Sequence, residues 1–465
     1  MEARSLEFIA KACIGELVGG SPQTQVLRVR TDSRKVEAGD LFFALSGGRF
    51  DGHDFLHQAA GKGACGVVAN RNRLPEGWGG TAIIAVDDTR KALGRLGAQY
   101  RKDFVLPTVA VGGSNGKTTT KELIAAVLRQ KLATLWSEAS YNNDIGVPLT
   151  LLRLQQSHQV AVFEVGTNHP GELAALAKMI RPDYGILTCV GREHLEFFGD
   201  LAGVAREQGS LAEELRTDGI LLVNGDDKWA IRVAERSCAR IVRVGLSPDN
   251  DWRARGIRVD LQGVTFQLEG PRREDSGECR IHLLGRHQVV NALFAVAIGV
   301  ELGLNRAEIT EGLAACRPPK MRLELCEYNG VRVLDDAYNA NADSTTVALQ
   351  TLQALPCKGR RVAVLGDMAE LGAHSQAAHE EVGRQAAELG VGQLFAVGTM
   401  APIIARAARD SGLVRVFEFA DVETAATAVK RFVREGDVVL LKASRITRLE
   451  RIGEALRCRK AGSTS

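Results

Sequence analysis

The residues best suited to chemistry are Gly113-Ser114-Asn115-Gly116-Lys117-Thr118-Thr119. The apolar run Thr108-Val109-Ala110-Val111 leads into them, and residues 119–129 follow with Leu123, Ile124, Val127 and Leu128 on one helical face. A buried strand, a glycine-rich turn and a helix start make a phosphate cradle. The glycines let backbone N–H groups converge on oxyanions, Lys117 brings a mobile positive charge, and the Thr118 hydroxyl can ligate Mg²⁺. The spacing is the short G-x-x-G-K-T form, because Val111 stands where the longer phosphate loop has its first glycine. The implied chemistry is the use of ATP or GTP.

Other residues of the right type lie at the ends of apolar runs. Glu164 closes Val160-Ala161-Val162-Phe163. A carboxylate at the carboxyl end of a buried strand is placed to hold Mg²⁺, the alternative being a cap for the next loop. His194, in Gly191-Arg192-Glu193-His194-Leu195-Glu196, is a metal ligand or a structural histidine. Asn142 and Asn143 open a polar loop that could meet substrate or phosphate. Later in the chain, Asp335 to Ser344, Gly366 to Gly372 and Lys442 to Arg445 are three polar loops after strands, forming one edge that faces the nucleotide. The plainer alternative for the first of these loops is a solvated helix start with Asp343 or Ser344 as its N-cap.

The elements that must position these residues read as three α/β units. In residues 1–103, a helix is expected over 56–62, strands over 66–69 and 83–86, and a helix over 89–101. In residues 104–317, strands at 108–111, 134–136, 160–165, 184–188, 220–223 and 241–244 alternate with helical patterns, which implies a mostly parallel, doubly wound sheet. Residues 252–281 alternate polar and apolar side chains and read as a small antiparallel insert, and 286–302 as helix. Arg317-Pro318-Pro319-Lys320 is a linker, since consecutive prolines stop a helix. Residues 318–465 form a Rossmann-like unit with strands at 331–334, 361–365, 394–397 and 438–442. It has no G-x-G-x-x-G, so no dinucleotide site is expected.

Composition sets the bounds. A chain of 465 residues is long for one core, and the prior is about three domains. The 45% hydrophobic and 25% charged fractions are those of an ordinary globular protein. A net charge of +3 with both signs interspersed argues against a dedicated nucleic-acid binder. No apolar run is long enough to insert in a membrane, and Met1-Glu2-Ala3-Arg4-Ser5 lacks the order of a signal peptide. The 9 cysteines form no C-x-x-C pair and read as reduced thiols, pointing to the cytoplasm. Residues 460–465 read as a frayed tail.

Taken together and in this order, the motifs resemble the Mur ligases of peptidoglycan synthesis over nearly the whole chain. The resemblance rests on Asp32-Ser33-Arg34, Asp51-Gly52-His53, the short phosphate loop, Asn142 to Pro148, Glu164 to Glu172, His194-Leu195-Glu196, and Gly285-Arg286-His287 with Asn291. The most specific matches, Asp335 to Ser344 and Gly366-Asp367-Met368-Ala369-Glu370-Leu371-Gly372, are typical of the branch that adds a dipeptide. The family implies an α/β fold in three domains. These are a UDP-substrate-binding domain (1–103), a central ATP-binding domain with a P-loop ATPase-type parallel sheet (104–317), and a C-terminal Rossmann-like domain binding ATP and the dipeptide (318–465). It implies a monomeric, cytoplasmic enzyme with ATP and Mg²⁺. Through an acyl phosphate, the enzyme would join D-alanyl-D-alanine to UDP-N-acetylmuramoyl-tripeptide, giving the pentapeptide precursor of the cell wall.

Carried over residue by residue, the resemblance makes Lys117, Glu164 and His194 catalytic. Gly113 to Thr119, Asn291, Arg322 and Asp336 contact the nucleotide, with Asn291 at the adenine. Ser33 and Arg34 meet the uridine nucleotide. Asn142, Asn143, Asp335, Tyr338, Asn339 and Asn341 meet substrate. Thr118 and Glu164 hold one Mg²⁺ and His194 a second. This sequence departs from the family where a lysine carbamylated by CO₂ usually bridges to the second metal, because Gln208 stands there. The expectation is that Gln208 acts as a weak neutral ligand beside His194 and water, with activity independent of CO₂. Ala342 replaces a usual proline and Ala443 a usual glycine. The alternatives are another ligase of the family, such as the one adding the third amino acid, and a binding homologue without activity.

Overall fold

A computed structural model describes residues 1–48 and 50–457, so Arg49 and the tail over 460–465 lie outside the described residues. The first part of the chain carries strands β1 (Arg4–Ser5), β2 (Glu16–Val18), β3 (Gln25–Val26), β4 (Arg28–Arg30), β5 (Asp40–Phe43), β6 (Gly66–Asn70) and β7 (Ala82–Val86). β1 and β3 form a two-stranded ribbon, and the other five make a sheet of order β2-β7-β6-β5-β4. Helix Thr89–Arg101 starts where the Asp88 carboxylate accepts the N–H groups of Arg90 and Lys91. Its far end packs on the next unit: Tyr100 Oη donates to Leu154 O (2.8 Å) and Arg101 Nε to Ile180 O (3.0 Å).

The middle sheet consists of β8 (Thr108–Gly112), β9 (Thr134–Trp136), β10 (Val160–Glu164), β11 (Tyr184–Leu187), β12 (Ile220–Asn224), β13 (Arg240–Gly245), β14 (Trp252–Asp260), β15 (Gly263–Glu269) and β16 (Gly277–Ile281). Its order is β16-β15-β14-β13-β12-β11-β8-β10-β9. Each residue of β8 faces the side opposite to the next. Val109 and Val111 join one core with Leu123, Ile124 and Phe294, while Ala110 joins another with Leu96, Tyr100, Phe163 and Leu176. The sheet is therefore covered by helices on both faces, as alternating βα connections require. β8 lies between β10 and β11, where the strand order reverses, and ligands bind such sheets at that switch point.

The stretch read as a separate insert turns out to continue this sheet. β14 pairs parallel with β13, and β15 and β16 add antiparallel beyond it. The free edge of β13 has to be covered, and the next chain segment covers it.

The last sheet has strands β17 (Glu324–Tyr328), β18 (Val331–Asp336), β19 (Arg361–Gly366), β20 (Gln393–Val397), β21 (Val416–Phe419) and β22 (Val438–Lys442), in the order β17-β18-β22-β19-β20-β21. β17 and β21 were not expected. Both are edge strands, short and with charged residues on them. β17 and β18 join through Asn329 (φ 51°) and Gly330 (φ 75°), the left-handed pair that a tight hairpin needs. Among the described residues, no helix is long and apolar enough to cross a membrane.

Candidate active site

The phosphate loop needs its glycines. Gly113 (φ 116°) and Gly116 (φ 85°) are left-handed. A Cβ at Gly113 would fall 2.1 Å from Thr188 Oγ1, and one at Gly116 2.8 Å from Asn291 Oδ1. The end of β11 ties the loop down. Ser114 N–H donates to Cys189 O (2.9 Å), Thr188 Oγ1 to Asn115 O (2.6 Å) and Gly191 N–H to Ser114 Oγ (2.8 Å). Helix Lys117–Leu128 starts directly after Gly116, so the amides of Lys117, Thr118 and Thr119 have no acceptor within the helix and present its positive end. Lys117 Nζ lies over the loop, donating to Gly113 O (2.5 Å) and Ser114 O (3.2 Å).

Around the loop lies a cavity of about 1070 Å³. Its walls bring together residues far apart in sequence. Ser114 to Thr119, Asn142, Asn143, Glu164, His194 and Asn291 come from the middle unit, and Arg322, Asp336, Tyr338, Asn339 and Asn341 from the last. Arg322 is fixed in a strained turn between Met321 (φ 59°) and Leu323 (φ 51°), with its guanidinium 4.3 Å from the Tyr338 ring centre. Asp336 pairs with Lys442 (2.8 Å), whose ammonium also donates to Asn339 O (2.6 Å).

Glu164 is 1% exposed. Its Oε1 accepts from Asn142 Nδ2 (2.8 Å), and its buried Oε2 has no hydrogen-bond partner. A buried carboxylate oxygen left unpaired is costly, and a hard cation supplies what it lacks. With Thr118 also lining the cavity, the residues fit Mg²⁺. Among the described residues no compact group of three His, Cys, Asp or Glu could hold a metal alone. That suits Mg²⁺, which takes one or two carboxylates and completes its shell with phosphate and water.

His194 (φ 48°) shares its Nδ1 proton with Glu370 Oε2 at 2.5 Å, across from the last sheet. This hydrogen bond holds the Glu370 carboxyl below the usual glutamate range. Next to it, Gln208 differs from expectation. Its Oε1 accepts the Gly113 N–H (2.9 Å) and its Nε2 donates to Glu193 (2.9 Å), so both ends of the amide are committed inside the protein and Gln208 does not line the cavity. Glu207 points elsewhere, accepting from the N–H groups of Gly171 (2.7 Å) and Leu173 (2.8 Å).

Two further expectations shift. The helix Ala342–Ala354 is capped by Asn341, in a capping box with Ser344, and not by Asp343 or Ser344. Asn341 also bonds Asn115 across the cavity (3.1 Å), and Asp343 is spent on Arg192 (2.9 Å). Asp335 does not line the cavity, unlike its neighbour. Successive side chains on β18 face opposite ways, and Asp335 stands opposite Glu324 of β17.

Burial pushes the Asp335 carboxyl up to about 6 from 3.8, reinforced by Glu324 and Asp336. Between these values the folded chain binds a proton that the unfolded chain has released, so stability falls as pH rises through the window. Asp335→Asn is expected to stabilise the protein by on the order of 1 kcal/mol at pH 7 and by much less at pH 4. Calorimetric melting at the two pH values measures this, and a lower melting temperature at pH 7 would refute it.

Ser33 and Arg34 are not part of this cavity. Ser33 donates to Gln58 (2.6 Å), and Arg34 folds back on Asp32 (2.9 Å). The only cavity residue of the first unit among those described is Arg90, bonded to Asp144 (2.7 Å). The motif at 51–53 is a brace: His53 Nδ1 donates to Asp51 (2.6 Å) and its Nε2 accepts the Asn70 N–H (3.0 Å). Sequence reasoning did not single out Arg90 or Glu193 as cavity residues, and it took Glu370 only as part of the polar loop Gly366 to Gly372. The one available signal was Glu193, which directly precedes His194 in a loop after a strand.

Comparison with known proteins agrees with this architecture. Three family profiles match in succession: "Mur ligase family, catalytic domain" over 26–101, "Mur ligase middle domain" over 111–299, and "Mur ligase, glutamate ligase domain" over 321–445. The UDP-N-acetylmuramoyl-tripeptide--D-alanyl-D-alanine ligase of Escherichia coli (strain K12) is 38% identical, over 95% of this chain and 96% of that one. The enzyme of the same name from Bacillus subtilis (strain 168) is 33% identical, over 97% and 98%. Among solved structures, a crystal structure of MurF from Acinetobacter baumannii superposes with a TM-score of 0.89 at 32% identity, covering 99% of this chain and 100% of that one. MurF ligase from Thermotoga maritima in complex with ADP gives 0.80 at 26% identity, covering 92% and 97%. With a fold, a phosphate loop and a full-length likeness all in accord, the chain belongs to the Mur ligase family.

Proposed function

We propose that this protein is the ATP-dependent ligase that joins D-alanyl-D-alanine to UDP-N-acetylmuramoyl-tripeptide. The observation that carries the reading is the cavity itself. A phosphate loop on the middle sheet faces the Tyr338-Asn339-Ala340-Asn341 loop of the last sheet, in a chain that matches ligases of this name end to end.

The terminal carboxylate of the tripeptide attacks the γ-phosphorus of ATP, forming an acyl phosphate and releasing ADP. The amine of the dipeptide then adds to the acyl carbon, and inorganic phosphate leaves as the amide forms. The first step brings anions together. At about 4 Å each pair of unit charges repels by roughly 4 kcal/mol at an effective dielectric of 20. Lys117 and the helix-start amides of Thr118 and Thr119 offset that repulsion where charge develops on the phosphoryl group. Thr118 and Glu164 would hold one Mg²⁺ and His194 a second, supplying further positive charge to the phosphates.

Asn291, beside Gly116, is assigned to the nucleotide base, and Arg322 and Asp336 to the ATP side of the last sheet. Asn142 and Asn143 border the carboxylate to be activated. Tyr338, Asn339 and Asn341 border the incoming amine. Ser33 and Arg34, in the single turn Ser33–Lys35 after β4, are assigned to the uridine nucleotide. On this reading residues 1–103, 104–317 and 318–465 divide the work into UDP-substrate, ATP and dipeptide binding. On the same reading the chain acts as a monomer in the cytoplasm. Phosphate release from ATP is expected only with both the UDP-tripeptide and D-alanyl-D-alanine present, with a UDP-pentapeptide product by mass. Release without the dipeptide, or no release despite normal binding of both ligands, would reject the assignment.

A further inference from the structure

We propose that Glu193 is a ligand of the same divalent cation as His194, and that Gln208 is the positioning residue that aims it. The proposal rests on the two-cation reading above.

Glu193 is 6% exposed, yet it borders the cavity. A buried carboxylate must be paired or coordinated. Its Oε1 is occupied by Gln208 Nε2 at 2.9 Å. Its Oε2 has only a long contact to Lys117 Nζ, 3.4 Å, because the shorter bond of that ammonium goes to Gly113 O. Oε2 is therefore the under-used oxygen, and it faces His194 Nε2 at 3.8 Å.

The His194 ring decides what that gap means. Its Nδ1 donates to Glu370, so in the neutral imidazole Nε2 carries the lone pair. Two lone-pair atoms then face each other across 3.8 Å, too far apart for a hydrogen bond. Ligands at about 2.1 Å from a small cation stand about 3.0 Å apart at a right angle and about 4.2 Å apart when opposite. The observed separation falls between these limits. The unpartnered Oε2 of Glu164 also lines this cavity and belongs, on the reading above, to the first cation.

Gln208 makes the arrangement rigid. It is 2% exposed, and its two amide ends tie Glu193 to the Gly113 N–H, so the carboxylate is held in register with the phosphate loop. A neutral amide does this without adding a charge that would compete for the cation.

The test is a Mn²⁺ titration of the full-length enzyme with a non-hydrolysable ATP analogue, with free Mn²⁺ read by electron paramagnetic resonance. The wild type is expected to take up two Mn²⁺. Glu193→Gln should weaken the second at least tenfold and leave the first unchanged. Gln208→Leu should weaken the second by a smaller factor, and Glu164→Gln should weaken the first. Glu193→Asp keeps a charge beside Lys117 and guards against a folding defect in Glu193→Gln. Its shorter reach should also weaken the second Mn²⁺. Two Mn²⁺ at wild-type affinity in both Glu193 variants would overturn this proposal and leave the two-cation reading standing. A wild type that takes up one Mn²⁺ overturns that reading and this proposal with it.

Discussion

Lys117→Ala is expected to lower single-turnover phosphate release by about 10³-fold, the loss typical of removing a preorganised charge from a transition-state site. The ammonium sits in the loop with 15% of its side chain exposed, held by the carbonyls of Gly113 and Ser114. It thus reaches a phosphoryl group with little reorganisation. No other side chain of the loop carries charge, so the loop itself cannot replace it. Affinity for the UDP-substrate should stay within about twofold, because Ser33 and Arg34 lie in the single turn after β4 and outside the cavity. Calorimetric titration with the UDP-tripeptide, run beside the kinetics, separates the two effects. Equal loss of both would mean that the units are not separable as assigned.

What the sequence reveals here is what repeats locally. Continuous apolar runs mark β8 and β10, and glycine spacing marks the phosphate loop, because strand burial and positive φ act over a few residues. The helix Thr89–Arg101 could be bounded in advance, since Asp88 and the apolar spacing Ala92, Leu93, Leu96 and Tyr100 are both local. Partners across the cavity are another matter. Arg192 with Asp343, His194 with Glu370, and Asn115 with Asn341 join positions more than a hundred residues apart, and no local pattern says which loop faces which. Asp335 and Asp336 are chemically identical neighbours, and only the parity of β18 decides that one meets Lys442 and the other Glu324. Gln208 shows a different limit: its residue type excluded a carbamate, but its hydrogen bonds were needed to show that its amide is already spent.

Glu370→Ala should raise the Mg²⁺ concentration for half-maximal turnover by about 10- to 100-fold, the usual cost of removing the carboxylate that orients a metal-binding histidine. Glu370 fixes which His194 nitrogen carries the proton, and it does so from the last sheet, while His194 belongs to the middle one. The proposed cation site is therefore complete only when the two units are docked. The substitution isolates the carboxylate, because the other contacts at this seam do not need it. Glu196 N–H donates to the Glu370 carbonyl (3.1 Å), and His374 Nε2 bonds Gly199 O (2.8 Å). The Arg192 bonds to Asp343 and Glu381 hold the same seam from another side. Glu370→Gln, whose amide oxygen still accepts the Nδ1 proton without the charge, should fall between the wild type and Glu370→Ala. A Mg²⁺ requirement unchanged in both variants would show that His194 is oriented without Glu370. It would also remove the link between docking of the last sheet and readiness of the phosphate loop for the anions it has to accept.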